Sequence, residues 1–157
     1  MRLALYQPDI AQNTGTILRL CACFGVEAHL IEPAGFPLSD RAFRRAGMDY
    51  LEHVALVRHA SWDAFEAWRG RKTPPSRLIV LTTKARTSIY DHAFNDKDVL
   101  LLGRESAGLP EGVHEAADVR LRIPMRAGMR SLNVAVAAAI TVSEALRQTG
   151  GFSEMAG

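Results

Sequence analysis

A chain of 157 residues is long enough for one domain with a real core, and its composition is that of an ordinary soluble globular protein. A formal net charge of +2 is too mild to argue for nucleic-acid binding by itself, so local clustering of Lys and Arg has to decide. The two cysteines, Cys21 and Cys23, face different sides of a helix and have no second pair or nearby His, which argues against zinc and for two reduced thiols.

The opening Met1 to Pro8 holds too short an apolar run for a signal peptide, and the apolar run after Asn133 stops by Glu144, short of the roughly 20 residues of a membrane span. A cytoplasmic location is expected. Leu3 to Tyr6 read as a first strand, stopped by Pro8. Ile17, Leu20, Cys21 and Phe24 then follow helical spacing, with Asn13 or Thr14 as cap and Arg19 on the opposite face. Ala28 to Ile31 read as a second strand. Ser39 or Asp40 caps a short helix carrying Arg41, Arg44 and Arg45, ended by Gly47. Those three arginines suit a solvated face or a phosphate-binding patch.

Val54 to Val57 give a third strand, and Ser61 caps a helix through Trp68. Its Trp62, Phe65 and Trp68 stripe reads as core or interface rather than a base-stacking platform. Arg69 to Ser76 read as an exposed loop. Leu78 to Thr82 form a β-branched fourth strand that ends in the polar Thr82-Thr83-Lys84, where open α/β sheets place ligands. Val99 to Leu102 is a continuous apolar run, the mark of a strand buried on both faces. Val119 to Ile123 read as the last strand. A polar loop with Pro124 and Gly128 follows, then a buried helix from Asn133 to about Gln148, ended by Gly150 and Gly151. Ser131 and Asn133 stand where that helix leaves its first N–H groups unpaired. Alternation of strands and helices predicts an α/β fold with a mainly parallel sheet, one domain over 1–150 and a short tail over 151–157.

Gly103-x4-Gly108 has the glycine spacing of a P-loop, but Leu109-Pro110 stand where Lys-Ser/Thr should be, which argues against an NTPase. No G-x-G-x-x-G opens the first strand–helix turn either. Glycine just after a strand still allows close backbone approach, as an adenosine-type ligand without triphosphate would need. The five histidines, His29, His53, His59, His92 and His114, lie outside these motifs and read as structural or solvated.

Three stretches in order, Asn13-x-Gly15-x3-Arg19, Leu102-Gly-Arg-Glu-x-x-Gly-Leu-Pro110, and Ile123-Pro-Met125 with Ser131-Leu-Asn133, resemble the three motifs of the SPOUT RNA 2′-O-methyltransferases. The short length and the Arg44 to Tyr50 segment look like the single-domain branch that methylates the wobble nucleotide of certain tRNAs. Arg104 and Ala107 make the second motif look closer to related ribosomal and tRNA-loop methyltransferases, and Ala135 and Ser143 also depart from the branch's usual residues.

The resemblance implies a sheet flanked by helices with a C-terminal deep trefoil knot, S-adenosylmethionine bound among the knot loops, and a homodimer. It implies cofactor contacts at Leu81, Gly103, Glu105, Ile123, Met125, Ser131 and Leu132. It places Arg19 at the reacting 2′-OH, with Asn13 and Asn133 orienting the loops around it, and needs no metal. RNA, in this reading a tRNA anticodon loop, is expected on Arg41, Arg44, Arg45, Lys84, Arg126 and Arg130. Two rivals keep part of this picture: a non-catalytic RNA-binding module, and an adenosine-ligand or small-molecule methyltransferase that makes no use of Arg44 and Arg45.

Overall fold

The computed structural model describes residues 1–71, 73–153 and 155. Among them the strands are β1 (Arg2–Tyr6), β2 (Glu27–Ile31), β3 (Leu56–His59), β4 (Leu78–Leu81), β5 (Thr87–Ser88), β6 (Val99–Leu102) and β7 (Val119–Arg122). The helices are α1 (Ala11–Cys23), α2 (Arg41–Gly47), α3 (Trp62–Gly70), α4 (Glu111–Glu115) and α5 (Val134–Thr149). The strands form one sheet in the order β3-β2-β1-β6-β4-β7-β5, and every pairing is parallel. The expected α/β architecture is therefore present, and the sheet is parallel throughout.

Parallel strands need both faces covered. One face carries Leu3, Leu5, Ile79, Leu100, Leu102 and Leu121 against α1, α2 and α5. The other carries Ala4, Tyr6, Leu78, Val80, Val99 and Leu101 against Phe65 and Val113, with Trp62 and Trp68 half-buried beside them. The aromatic stripe of α3 is thus core, as its spacing suggested. His29 and His59 join that core through a 2.8 Å ring-nitrogen contact. Burial pushes His29 down to about 4, so this pair is neutral near pH 7.

Several boundaries differ from the sequence reading, each for a local reason. α1 starts at Ala11, behind an Ile10 that offers no side-chain cap, because the Asn13 amide is engaged elsewhere. β3 begins at Leu56 rather than Val54, because a 3₁₀ turn over Met48–Glu52 holds the Val54 N–H on the Tyr50 carbonyl (3.1 Å). β4 ends at Leu81, although Thr82 N–H still reaches the Leu121 carbonyl (2.9 Å). The two-residue β5 is too short to leave a periodic signal.

Caps follow the expected chemistry elsewhere. Asp40 accepts from the N–H groups of Ala42 and Phe43, and Ser61 from that of Ala64. Asn133 accepts from Ala135 and Val136, and Gly150 ends α5 in the left-handed region at φ 74°. Of the expected tail, Gly151 to Ser153 and Met155 turn back locally, and Phe152 packs edge-on against Phe24 at 5.6 Å. Residues 154, 156 and 157 lie outside the described residues, as does Lys72 in the Arg69 to Ser76 loop. No helix among the described residues is long and apolar enough to cross a membrane.

Candidate active site

Open α/β sheets bind ligands beyond the strand carboxyl ends, at the point where strand order reverses. Here that point lies between β1 and β6, and side chains fill it. The Arg104 guanidinium donates to Gln7 Oε1 and sits 5.8 Å from the centre of the Tyr6 ring. Asp9 and Glu105 exchange bonds: Glu105 N–H donates to Asp9 Oδ1 (3.1 Å) and Asp9 N–H to Glu105 Oε2 (3.3 Å). The Ser106 hydroxyl donates to the second Asp9 oxygen. These contacts staple the loops that follow β1 and β6.

A cavity of about 480 Å³ opens next to this staple, over the carboxyl ends of β4, β6 and β7. Leu81, Gly103, Glu105, Ile123, Met125, Ser131, Leu132, Asn133 and Asn13 all line it. The expected cofactor residues and two of the three expected catalytic residues thus share one wall system, although they come from segments up to 120 residues apart in sequence. Gly103 makes the tight part possible. A Cβ there would sit 2.6 Å from the Gly108 carbonyl carbon, inside the turn closed by Arg104 N–H on Gly108 O (3.1 Å) and Gly108 N–H on Arg104 O (2.9 Å).

One hydrogen-bonded chain ties the three motifs together. Asn133 Nδ2 donates to Asn13 Oδ1 (3.0 Å), and Asn13 Nδ2 donates to Glu105 Oε1 (3.4 Å). Burial pushes the Glu105 carboxyl above its ordinary range, and the neighbouring Asp9 pushes it the same way. Glu105 and the Ser106 hydroxyl in turn hold Asp9 low. The pair therefore favours a proton on Glu105 and a charge on Asp9.

The cavity combines apolar walls with backbone edges at strand ends and a few polar side chains. Its one guanidinium, that of Arg104, is turned onto Gln7. Such a wall suits an adenosine-type ligand and lacks what a triphosphate needs. No group of His, Cys, Asp and Glu able to hold a metal occurs among the described residues.

Arg19 does not line this cavity. It lies exposed on α1, 4.8 Å from the centre of the Tyr50 ring, with Nη1 donating to Met48 Sδ (3.3 Å). Gly15 accounts for the neighbours: a Cβ there would sit 2.4 Å from the Phe43 carbonyl oxygen, so only glycine lets α2 press on α1 and carry Met48 and Tyr50 to Arg19. Arg41, Arg44 and Arg45 are exposed on α2, and Lys84 is exposed after β4. Arg126 and Arg130 line a second cavity that adjoins the first.

Sequence reasoning passed over three groups here. Asp9 and Gln7 sit at the carboxyl end of β1, where the strand-end rule could have flagged them. His114, read as structural or solvated, lines the cavity from α4, and burial lowers its affinity for a proton.

Residues 1–143 match the SpoU rRNA Methylase family. The chain is 62% identical to the tRNA (cytidine(34)-2′-O)-methyltransferase of Beijerinckia indica, over 98% of this chain and 94% of that one. It is similar to a solved structure described as giving structural insights into the 2-OH methylation of C/U34 on tRNA, with TM-score 0.88 and 43% identity, covering 94% of each chain. It is also similar to the SpoU methyltransferase AviRb of Streptomyces viridochromogenes in complex with AdoMet, with TM-score 0.87 and 26% identity, covering 94% of this chain and 57% of that one.

Proposed function

This chain belongs to the SpoU rRNA methylase family, and on that premise we propose that it transfers the methyl group of S-adenosylmethionine to the ribose 2′-OH of the wobble nucleotide of tRNA, cytidine 34 or a modified uridine 34. The observation that carries this reading is the meeting of the three motifs on one cavity of about 480 Å³, in a chain 62% identical to an enzyme of that name. Arg104, a departure from the wobble branch's usual residue, is held on Gln7 and beside the Tyr6 ring.

The cavity fits the cofactor by its size, by its backbone-lined strand ends and by the cradle under Gly103 that any Cβ would fill. Leu81, Gly103, Ile123, Met125, Ser131 and Leu132 would hold it, with Glu105 in the same wall. When bound, it supplies an electrophilic methyl carrying its own leaving group. The protein's part is then to bring the 2′-OH into line and to stabilise the charge as the hydroxyl loses its proton to solvent water. We assign the second task to Arg19. A guanidinium stays protonated, so it grips the adjacent phosphate and stabilises the developing alkoxide rather than acting as a base. Asn13 and Asn133 keep the motif loops in register beside the cavity.

Arg19 stands outside the wall of this cavity, so it reaches the 2′-OH from its own or the partner chain. Exposed apolar side chains lie at and beside the cavity, Ile10, Leu132 and Val136 among them, and we read this face as the contact face of a homodimer. The C-terminal stretch from Arg122 into α5 is, by the family's pattern, the trefoil knot, within one methyltransferase domain over 1–150 and with 151–157 as a tail. Arg41, Arg44, Arg45, Lys84, Arg126 and Arg130 are the RNA contacts, and the cytoplasm is the compartment.

The test is transfer of tritiated methyl to total tRNA from a strain lacking the enzyme, with the product nucleoside mapped. Label is expected as 2′-O-methylcytidine or 2′-O-methyluridine at position 34. Label confined to another loop would overturn the target. An Arg19→Ala protein that bound cofactor and kept near-normal transfer would remove Arg19 from the mechanism.

A further inference from the structure

The loop between β7 and α5 borders a second, half-open cavity of about 380 Å³, at the lower end of the range of about 300–1,000 Å³ for small-molecule pockets. It is lined by Arg122, Arg126 and Arg130, together with Pro124, Met125 and Met129. Thr83, Ile123 and Met125 line both cavities, so the two are neighbours across one wall.

The charges in this loop are unbalanced. From Val119 to Asn133 there are four arginines and no acidic residue. Arg58, Arg69, Arg77 and Arg147 each pair with a carboxylate elsewhere in the fold. Among the described residues no carboxylate meets Arg122, Arg126 or Arg130. Strand alternation turns Leu121 into the core and leaves Arg122 exposed at the strand end. A turn closed by Met129 N–H on the Arg126 carbonyl (3.2 Å), with Gly128 at φ 87°, holds Arg126 and Arg130 close together. It also leaves Met129 65% exposed. Free guanidinium groups seek phosphate oxygens, and thioether sulfurs make favourable contacts with aromatic rings.

We propose that this second cavity is a nucleotide subsite, taking one nucleoside monophosphate unit of the RNA with its phosphate on Arg122, Arg126 and Arg130 and its base against Pro124 and Met129. The shared wall places the ribose of that unit, or of its neighbour in the strand, beside the larger cavity. The assignment rests on the proposed function only in taking RNA as the source of the nucleotide.

Cytidine 5′-monophosphate is the probe, titrated into the full-length protein carrying labelled methionine methyl groups and followed by NMR. Met129 and Met125 resonances are expected to shift at millimolar nucleotide. Arg122→Gln and Arg130→Gln are each expected to weaken binding roughly tenfold, the size of one lost charge-assisted contact. S-adenosylmethionine affinity, measured by calorimetry on the same variants, should stay within about twofold and so reports that they remain folded. Met129→Ala, which changes no charge, should weaken the nucleotide but leave inorganic phosphate unaffected. Inorganic phosphate binding as tightly as the nucleotide would overturn the base contact, and with it the nucleotide subsite. Unshifted Met129 in a protein that still binds tRNA would overturn the site altogether. Methyl transfer to tRNA is measured in parallel: its absence, with nucleotide binding intact, would sink the proposed function and leave the subsite standing.

Discussion

Glu105 shows how much of the site depends on single groups. Its carboxyl accepts from Asn13 and from the Asp9 N–H, and its own N–H donates back to Asp9. Its position in the second motif was legible in the sequence. Its partner was not, because Asp9 lies 96 positions away and only the fold brings the two together. The raised proton affinity of Glu105 has a definite sign for stability. A carboxyl whose folded value lies above its unfolded one stabilises the fold fully at pH below the unfolded value, and loses that contribution as pH rises through the folded value. Asp9, held low, behaves oppositely: its contribution is present above its ordinary value and is lost as pH falls through the folded one. Glu105→Gln removes the first effect. It keeps the part of the second that comes from the Ser106 hydroxyl and the backbone N–H groups of Glu105 and Ser106, with the Gln amide in place to donate to Asp9 as the protonated carboxyl does. Urea denaturation at pH 4 and pH 7 should therefore show the Gln variant gaining on the wild type as pH rises. A pH-independent difference between the two would mean that the carboxyls do not favour the neutral Glu105.

At the scale of elements, helix α5 and its cap were readable from the junction at Ser131 to Asn133, whereas the start of α1 was misplaced at Asn13 or Thr14. The cause is the same residue pair in both cases. Asn133 spends its oxygen on α5, accepting from Ala135 (2.8 Å) and Val136 (3.3 Å), and its amide on Asn13. Asn13 thereby serves the site from inside α1 and caps nothing. Local cap preferences cannot register a partner on another helix. The two jobs of Asn133 separate by substitution. Asn133→Ala loses the cap and should cost about 1 kcal/mol in urea denaturation. Asn133→Asp still accepts at the helix start, where its charge also suits the dipole, and should stay within about 0.5 kcal/mol of the wild type. It cannot donate to Asn13, so its cofactor affinity should fall while its stability holds. Equal losses of stability in both variants would mean that the Asn13 contact, rather than the cap, secures the start of α5.

For the molecule as a whole, periodicity made the α/β alternation visible, but not the order β3-β2-β1-β6-β4-β7-β5 or the displacement of the cavity from the switch point. Strand order is set by crossovers, and that crevice is filled by Arg104 on Gln7 and Glu105 on Asp9, contacts that no local pattern encodes. Charge follows the same logic. A net +2 says little, because it averages paired and unpaired groups. Paired arginines such as Arg58, whose Nε lies 2.6 Å from Glu32 Oε1, present little field to solvent. Among the described residues, the arginines that meet no carboxylate include Arg41, Arg44 and Arg45 on α2, and Arg122, Arg126 and Arg130 around the β7–α5 loop. RNA binding should then be governed by these two groups rather than by net charge. Each phosphate contact contributes a slope of about −0.7 to log K against log salt for single-stranded nucleic acid. Arg45→Gln and Arg126→Gln should each weaken tRNA binding and reduce the salt slope by about that increment. Arg58→Gln removes the same formal charge and should leave the slope unchanged, since Glu32 already neutralises it. Filter binding across a salt series distinguishes the cases: equal slope changes in all three variants would mean that tRNA responds to total charge, and that the two arginine groups are not discrete contacts.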